Sequence, residues 1–203
     1  MNTVEKGDKF EDKVFSSIKE LVESGSLGLN PYCCRLYQKK GYYSKDRDAD
    51  IIVDISIEVW LPKADKWSML WVCECKDYSK PVPVDDVEEF KAKLNQITGV
   101  NVKGLIATSS AYQRGSLNYA SSNGIGLLRL LPEDQIDFIL YHMTPDAFER
   151  LERQHRNEYN KALVVQNHRT EGSGFYAIYD GYVYHDWKSL VGSYFSGVEN
   201  LTP

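Results

Sequence analysis

A chain of 203 residues with 42% hydrophobic and 12% aromatic residues can bury a substantial core, so global disorder is excluded. No apolar run approaches the roughly 20 residues that a membrane-spanning helix needs, and the N-terminus MNTVEKGDKFEDKV is too charged for a signal peptide. We therefore expect a cytoplasmic protein with no membrane partner. The net charge of −5 argues against a protein that coats nucleic acid.

The first half of the chain alternates between helical and extended patterns. Residues 8–24 carry apolar residues at helical spacing, with Asp8 as the expected N-cap and a capping box completed three residues later. A short strand ending near Gly41 follows. The segments 51–60 and 68–78 are rich in β-branched and aromatic residues, and the polar linker between them predicts a hairpin.

A strand–helix–strand unit follows this hairpin. Residues 84–99 have one apolar helical stripe, and 102–110 form a continuous apolar run typical of a strand buried on both faces. A short helix and a further buried strand at 125–130 complete the unit, which implies parallel pairing with a right-handed crossover. We predict an α/β fold with a mixed sheet and an αβββαβ-type core.

The pattern changes after Pro132. Two helical pieces are predicted, broken near Thr144-Pro145, and the Tyr- and Gly-rich segment 167–195 predicts a hairpin around Asp180-Gly181. We therefore divide the chain into a core at 1–135 and a C-terminal α+β extension at 136–203 of unknown role. Packing of the extension on the same sheet and a separate appendage both remain open.

Charged residues interrupt the predicted hairpin. Glu74 and Lys76 share one face of the second strand, because side chains alternate along a strand. On the preceding strand Asp50, Asp54 and Glu58 share a face, and the expected register sets Asp54 opposite Glu74. Two carboxylates at cross-strand distance repel each other unless a cation lies between them, and oxygen ligands suit Mg²⁺, with Mn²⁺ as a substitute.

The four cysteines occur as Cys33-Cys34 and Cys73-x-Cys75, and neither spacing is that of a zinc site. We expect them to be reduced and to pack as small hydrophobic residues.

The order of these features resembles a known nuclease family. Asp54 followed by Glu74-Cys75-Lys76 on a hairpin resembles the PD-(D/E)xK motif. The segments GDKFEDKV, CECKDYSKPVPVDDVEEFKAKL and KGLIATSSAYQRGSLNYASSNGIGLLRL are similar to the Mrr-like restriction endonuclease branch. The resemblance covers about residues 7 to 131.

The resemblance implies a restriction-endonuclease-like fold and a metal-dependent phosphodiesterase that acts on DNA. Asp54 and Glu74 would be metal ligands, with the carbonyl oxygen of Cys75 as a third. Lys76 would serve the attacking water, and Glu11 would be an auxiliary carboxylate near the metal, supplied by the first helix.

Two departures from the family pattern leave an alternative open. The segment that leads to the aspartate, DRDADIIVD, lacks the glycine-rich turn that many members of the branch carry, and glutamine often stands where this chain has Glu74. Asp50 and Asp54 therefore both qualify as the ligand aspartate, and the register with Glu74 favours Asp54. For Asp50 and Glu58 a plain solvent-facing position is the alternative.

Polar residues after the active strand are candidates for binding the DNA backbone. Lys91, Lys93 and Gln96 lie on the following helix, and a Ser-rich turn precedes the next one, whose terminal amides suit a phosphate. A solvated helix face and a plain helix cap are the alternatives. The expected DNA-binding set is Lys91, Gln96, Ser109, Gln113 and Arg114.

Three functions are compatible with these residues. The first is a Mg²⁺-dependent DNA endonuclease, with restriction of foreign DNA as its role. The second is a catalytically inactive nuclease-like module that binds DNA or protein, and the third is a junction-resolving or repair nuclease. Cleavage of both DNA strands is easiest with two active sites, so a homodimer is favoured.

Overall fold

The computed structural model describes residues 3–26, 29–97, 99, 101–132, 158–170 and 174–195. The strands are β1 (Cys34–Ser44), β2 (Ala49–Val59), β3 (Met69–Lys76), β4 (Val102–Thr108), β5 (Ile125–Leu130), β6 (Phe175–Tyr179) and β7 (Tyr182–Tyr184). The helices are α1 (Thr3–Glu23), α2 (Val84–Gln96), α3 (Arg114–Ser122), α4 (158–164) and α5 (Trp187–Phe195). Within these ranges, no helix combines the length and apolar character needed to cross a bilayer.

The seven strands form one mixed sheet in chain order. Strands β1, β2 and β3 are antiparallel neighbours, β3, β4 and β5 run parallel, and β6 and β7 pair antiparallel at the far edge. The parallel strands are joined through α2 and α3, as a strand–helix–strand unit requires. The predicted α/β fold, with a hairpin that leads into parallel strands, is confirmed.

Hydrophobic clusters cover both faces of the sheet. On one face, residues of α2, such as Phe90, pack against Val72 and Ile106. On the other face, residues of α1 and α5 pack with Trp71, which is fully buried, and with Leu105. Burial of each large side chain of this kind contributes about 1.5–3 kcal/mol. The parallel strands β3 and β4 are thus covered on both sides, which explains their nearly continuous apolar sequence.

Two predicted element boundaries were wrong. The first helix begins at Thr3, so Asp8 lies inside it and is not its N-cap. Gly7 in a helix interior costs about 1 kcal/mol, too little to stop the helix when the face beyond it is buried. The strand expected to end near Gly41 instead runs from Cys34 to Ser44, because it pairs with β2 along nearly its whole length.

The C-terminal residues add to the same sheet. The predicted hairpin is confirmed: β6 pairs with β5, and the turn to β7 has positive φ at both Asp180 (49°) and Gly181 (78°). Helix α5 was not predicted. Its Tyr194 packs edge-on against Trp71 at 5.9 Å, and the hydroxyl donates to the carbonyl of Gly104 at 3.2 Å. The predicted helix break near Thr144-Pro145 lies outside the described residues.

Candidate active site

The candidate site lies where β2 and β3 separate. Their ladder runs from the pair Val59–Met69 to the pair Ile55–Cys73, and the next step sets Asp54 opposite Glu74. At this point the acceptor is a side chain and not a backbone carbonyl: Oδ2 of Asp54 accepts a hydrogen bond from the Cys75 backbone N–H at 2.8 Å. Beyond this point β2 continues to Ala49 paired only with β1. The carboxylate of Asp54 therefore lies at the opening between the two strands.

The alternation of side chains along β2 breaks at Asp54. Val53 packs in the cluster that contains α2, whereas Ile55 packs in the cluster that contains α1. Across from Asp54, between the paired residues of β1, Lys39 has a φ of 53°. The expectation that Asp50, Asp54 and Glu58 share one face was therefore wrong, since a strict alternation does not pass through this point.

Asp50 and Glu58 occupy different surroundings from Asp54. Asp50 is exposed and packs over Gly41. A Cβ atom added at Gly41 would lie 2.9 Å from Oδ2 of Asp50. Glu58 does not face solvent: it is 2% exposed and its carboxylate accepts hydrogen bonds from Lys40, Tyr42 and Trp60. The network satisfies a buried charge, so Glu58 has a structural role. Of the two candidate aspartates, Asp54 is the one that the structure brings beside Glu74.

Two lysines share one oxygen atom of Glu74. The Nζ atoms of Lys76, on the same strand, and of Lys93, on α2, each lie 3.0 Å from Oε1 of Glu74. Burial alone would raise the pKa of Glu74, but the two ammonium groups outweigh it and hold the pKa below its usual value. Burial would likewise lower the pKa of Lys76, yet the carboxylate of Glu74 outweighs it and raises that pKa. At neutral pH both groups are charged.

Asp54 and Glu11 lie on either side of a third lysine. The Nζ atom of Lys39 forms an ion pair with Glu11 and lies 3.8 Å from Oδ1 of Asp54. Glu11 is 4% exposed and also accepts a hydrogen bond from Gln38 at 2.9 Å. Burial raises the pKa of Asp54, and the nearby charge of Glu74 raises it further. Glu11 is thus beside the site, as expected, although Lys39 separates it from Asp54.

Three of the five predicted DNA-binding residues contact other groups of the protein, and two lie exposed at the start of α3. Lys91 donates to the carbonyl of Asn123 at 3.4 Å, Gln96 accepts from Arg47 at 2.8 Å, and the hydroxyl of Ser109 donates to Asp77. Gln113 precedes α3 as its cap residue, and Arg114 begins the helix; both are exposed.

Sequence reasoning did not select Lys39 for the site, and it named Lys93 as a candidate for contacting the DNA backbone but not as a partner of Glu74. The one available signal for Lys93 was its position on the helix after the active strand, which Lys91 and Gln96 share. Only packing distinguishes these residues, because the helix turns Lys93 towards the sheet.

The oxygen donors at the site fit a hard divalent cation. Among the described residues, no group of three or more His, Cys, Asp or Glu side chains is arranged to hold a metal ion. Asp54 and Glu74 nevertheless bring two carboxylates so close that the charge of Glu74 contributes to raising the pKa of Asp54. Mg²⁺ is typically bound by one or two carboxylates together with waters and phosphate oxygens. Two protein carboxylates, with the predicted Cys75 carbonyl, match that requirement.

Comparison with known proteins identifies the family. The family model Mrr_cat, described as restriction endonuclease, matches residues 26–136, more than half of the chain. The chain belongs to the Mrr_cat restriction endonuclease family. The matched range of this Mrr_cat chain contains Asp54, Glu74, Lys76 and Lys93, whereas Glu11 precedes it. The predicted resemblance to Mrr-like restriction endonucleases is confirmed.

Two solved structures are similar to the Mrr_cat chain. A crystal structure of a protein of unknown function, AF1548, shares 14% identity over 70% of this chain and 82% of that chain, with a TM-score of 0.39. A crystal structure of a repair endonuclease from Pyrococcus abyssi shares 18% identity over 58% of this chain, with a TM-score of 0.35. The match spans 46% of that endonuclease. A search of curated proteins gave no match.

Proposed function

We propose that the protein is a Mg²⁺-dependent DNA endonuclease that hydrolyses phosphodiester bonds, with restriction of foreign DNA as its role. The observation that carries this proposal is the meeting of Asp54 and Glu74 where β2 and β3 separate, with Lys76 on Glu74. Carboxylates and a lysine in this arrangement serve a phosphate and an attacking water. Membership of a restriction endonuclease family supports the same reaction class.

The carboxylates of Asp54 and Glu74 would hold the metal ion, with the Cys75 carbonyl as a third ligand. When bound, Mg²⁺ would offset the negative charge that develops on the phosphate. The hydrogen bond from the Cys75 N–H occupies Oδ2 of Asp54, so Oδ1, which lies 3.8 Å from the Nζ atom of Lys39, is the oxygen that would meet a cation.

Lys76 contributes charge and orientation in this proposal. The carboxylate of Glu74 raises the pKa of Lys76 above its usual value and so favours the protonated side chain. It donates hydrogen bonds to the attacking water or to a phosphate oxygen. Glu11 keeps Lys39 beside Asp54, which limits the negative charge at the site until the cation is bound.

Plasmid cleavage tests the catalytic assignment. Asp54→Asn, Glu74→Gln and Lys76→Met should each lower the rate by about 100-fold or more, the loss typical of removing one charge-stabilising group. Asp50→Asn is the matched control, because it makes the same chemical change at an exposed position of the same strand. Equal loss in Asp50→Asn, or unchanged cleavage in Asp54→Asn, would contradict the assignment.

Metal binding gives an independent test. Mn²⁺ at 100 times its dissociation constant should stabilise the wild-type protein by about 2.7 kcal/mol, because it binds only the folded state. For a chain of this size that corresponds to a melting temperature higher by about 5–10 °C. Glu74→Gln should lose most of this shift. An equal shift in Glu74→Gln and wild type would place the metal elsewhere.

A binding module without catalytic activity is the second candidate. It is favoured by the two lysines on Glu74, which already satisfy that carboxylate without a metal. Such a module would bind DNA but show neither metal-dependent stabilisation nor cleavage.

Two experiments test the role and the assembly of the protein. A panel of linear, supercoiled and four-way-junction DNA separates restriction from junction resolution or repair. Light scattering with and without DNA tests the proposed homodimer.

A further inference from the structure

We propose that Lys93 binds the DNA backbone: its ammonium group rests on Glu74 in the metal-free protein and passes to a phosphodiester oxygen when a cation occupies the site. This inference rests on the proposed function. It adds a substrate-binding residue on α2 that lies outside the Asp-Glu-Lys set.

The burial of Lys93 shows that an ordinary helix pair does not explain its position. Its side chain is 18% exposed, and it lies 3.4 Å from Glu89, four residues earlier, as well as 3.0 Å from Glu74. The pair Lys19–Glu23 on α1 has the same spacing, yet both side chains are more than half exposed. Lysine is rarely buried unless it is paired. Glu74, not Glu89, therefore accounts for the buried position of Lys93.

The charges at the site balance without a metal. Three carboxylates and three ammonium groups form the inner set of charges, which carries no net charge, and the exposed carboxylate of Glu89 lies outside it at its edge. The set consists of Glu11, Asp54, Glu74, Lys39, Lys76 and Lys93. A divalent cation would add two positive charges to this balanced set. The metal cation would then compete with Lys76 and Lys93 for the carboxylate of Glu74. A bound anion, such as a phosphate group, would offset the added positive charge.

Of the two lysines that contact Glu74, Lys93 has the weaker set of additional interactions. Besides Glu74, Lys76 has the hydroxyl of Tyr78 as a hydrogen-bonding neighbour and the carboxylate of Asp86 as a charged one. The other carboxylate beside Lys93 is that of Glu89, whose side chain is 61% exposed. A Lys93 that leaves Glu74 still lies beside the site, because its other carboxylate neighbour is on the same helix. Its flexible stem lets it follow the phosphate.

DNA binding at several salt concentrations tests this role. A fluorescent DNA duplex is titrated in the presence of Ca²⁺, and the slope of log affinity against log salt is measured. Loss of one phosphate contact reduces the steepness of that slope by about 0.9, so Lys93→Met should show this change. Lys93→Arg keeps the cation and should retain the wild-type slope.

Lys19→Met is the matched control, because Lys19 also has a carboxylate four residues along its helix, that of Glu23, but its side chain is 55% exposed on α1. Its slope should equal that of the wild type. In a parallel calorimetric titration without DNA, Lys93→Met should bind Mn²⁺ at least as tightly as the wild type, because a competing cation has been removed. Weaker metal binding would show that Lys93 only supports the shape of the site and would overturn the proposal.

The outcomes separate the two proposals. If the wild type cleaves DNA and Lys93→Met keeps the wild-type salt slope, the inference about Lys93 fails and the endonuclease proposal stands. If the wild type neither binds Mn²⁺ nor cleaves DNA, both fail. Circular dichroism of Lys93→Met establishes whether it is folded; if it is not, Lys93→Gln, which removes the charge but keeps a polar side chain, takes its place in the same titrations.

Discussion

Arg129 joins the core to the C-terminal part of the chain, and its removal should be strongly destabilising. It lies on β5 and is 0% exposed, and its guanidinium donates to the carbonyls of Ala162, Val165 and Gln166 at the end of α4. A hydrogen bond from a charged donor contributes about 1.5–3 kcal/mol, and burial of the charge opposes the sum of three. We therefore expect Arg129→Met to lower the free energy of unfolding by about 3–5 kcal/mol.

Urea denaturation followed by tryptophan fluorescence measures this loss. Because a domain has only about 5–15 kcal/mol of stability, the midpoint should fall by about 1–2 M. Arg129→Lys keeps a charge and three donors, so it should lose roughly half as much. Arg114→Met removes an exposed arginine and should change stability by less than about 0.5 kcal/mol. A loss below about 1 kcal/mol in Arg129→Met would refute the view that its guanidinium holds α4 on the sheet.

Two further predictions concern the packing of the C-terminal part. Gly126→Ala would set a Cβ atom 1.9 Å from the hydroxyl oxygen of Tyr194, so thermal unfolding should show a loss of about 1–3 kcal/mol. Tyr194→Phe in the same chain should recover part of it, and no recovery would mean that Leu105 is the obstacle. Burial lowers the pKa of His168 below 6.5, so the unfolded state takes up the proton first and stability falls as the pH drops through 6.5. His168→Gln should flatten this pH dependence of the urea midpoint; an unchanged profile would assign it to other groups.

The core elements were predictable because local sequence and burial agree along them. The strand at 125–130 has the bounds that its apolar pattern indicates, and α2 begins at Val84 as predicted although it ends at Gln96, three residues before the expected stop at Gly99. Helix α5 was missed since its Tyr- and Gly-containing sequence has weak helical preference, and it is stabilised by packing of Leu190 and Val191 against the sheet. Packing against the sheet, and not local helical preference, therefore accounts for helix α5.

The site was partly predictable for the same reason. The pairing of Asp54 with Glu74 follows from hairpin register, which is a property of two adjacent segments. The break in side-chain alternation at Asp54 does not follow from that register, because it depends on β1 and on the backbone of Lys39.

The sequence by itself determined the succession of helices and strands in the core, the family and the carboxylate pair, since these depend on periodicity and on residues close together along the chain. Only the tertiary structure decided that Lys39 and Lys93 complete the charge balance. Their ammonium groups arrive from β1 and α2, and nothing in the local pattern of either segment distinguishes a lysine turned towards a buried carboxylate from one in water. The free energy of a buried charge depends on its partners in space, which helix orientation and sheet pairing set together.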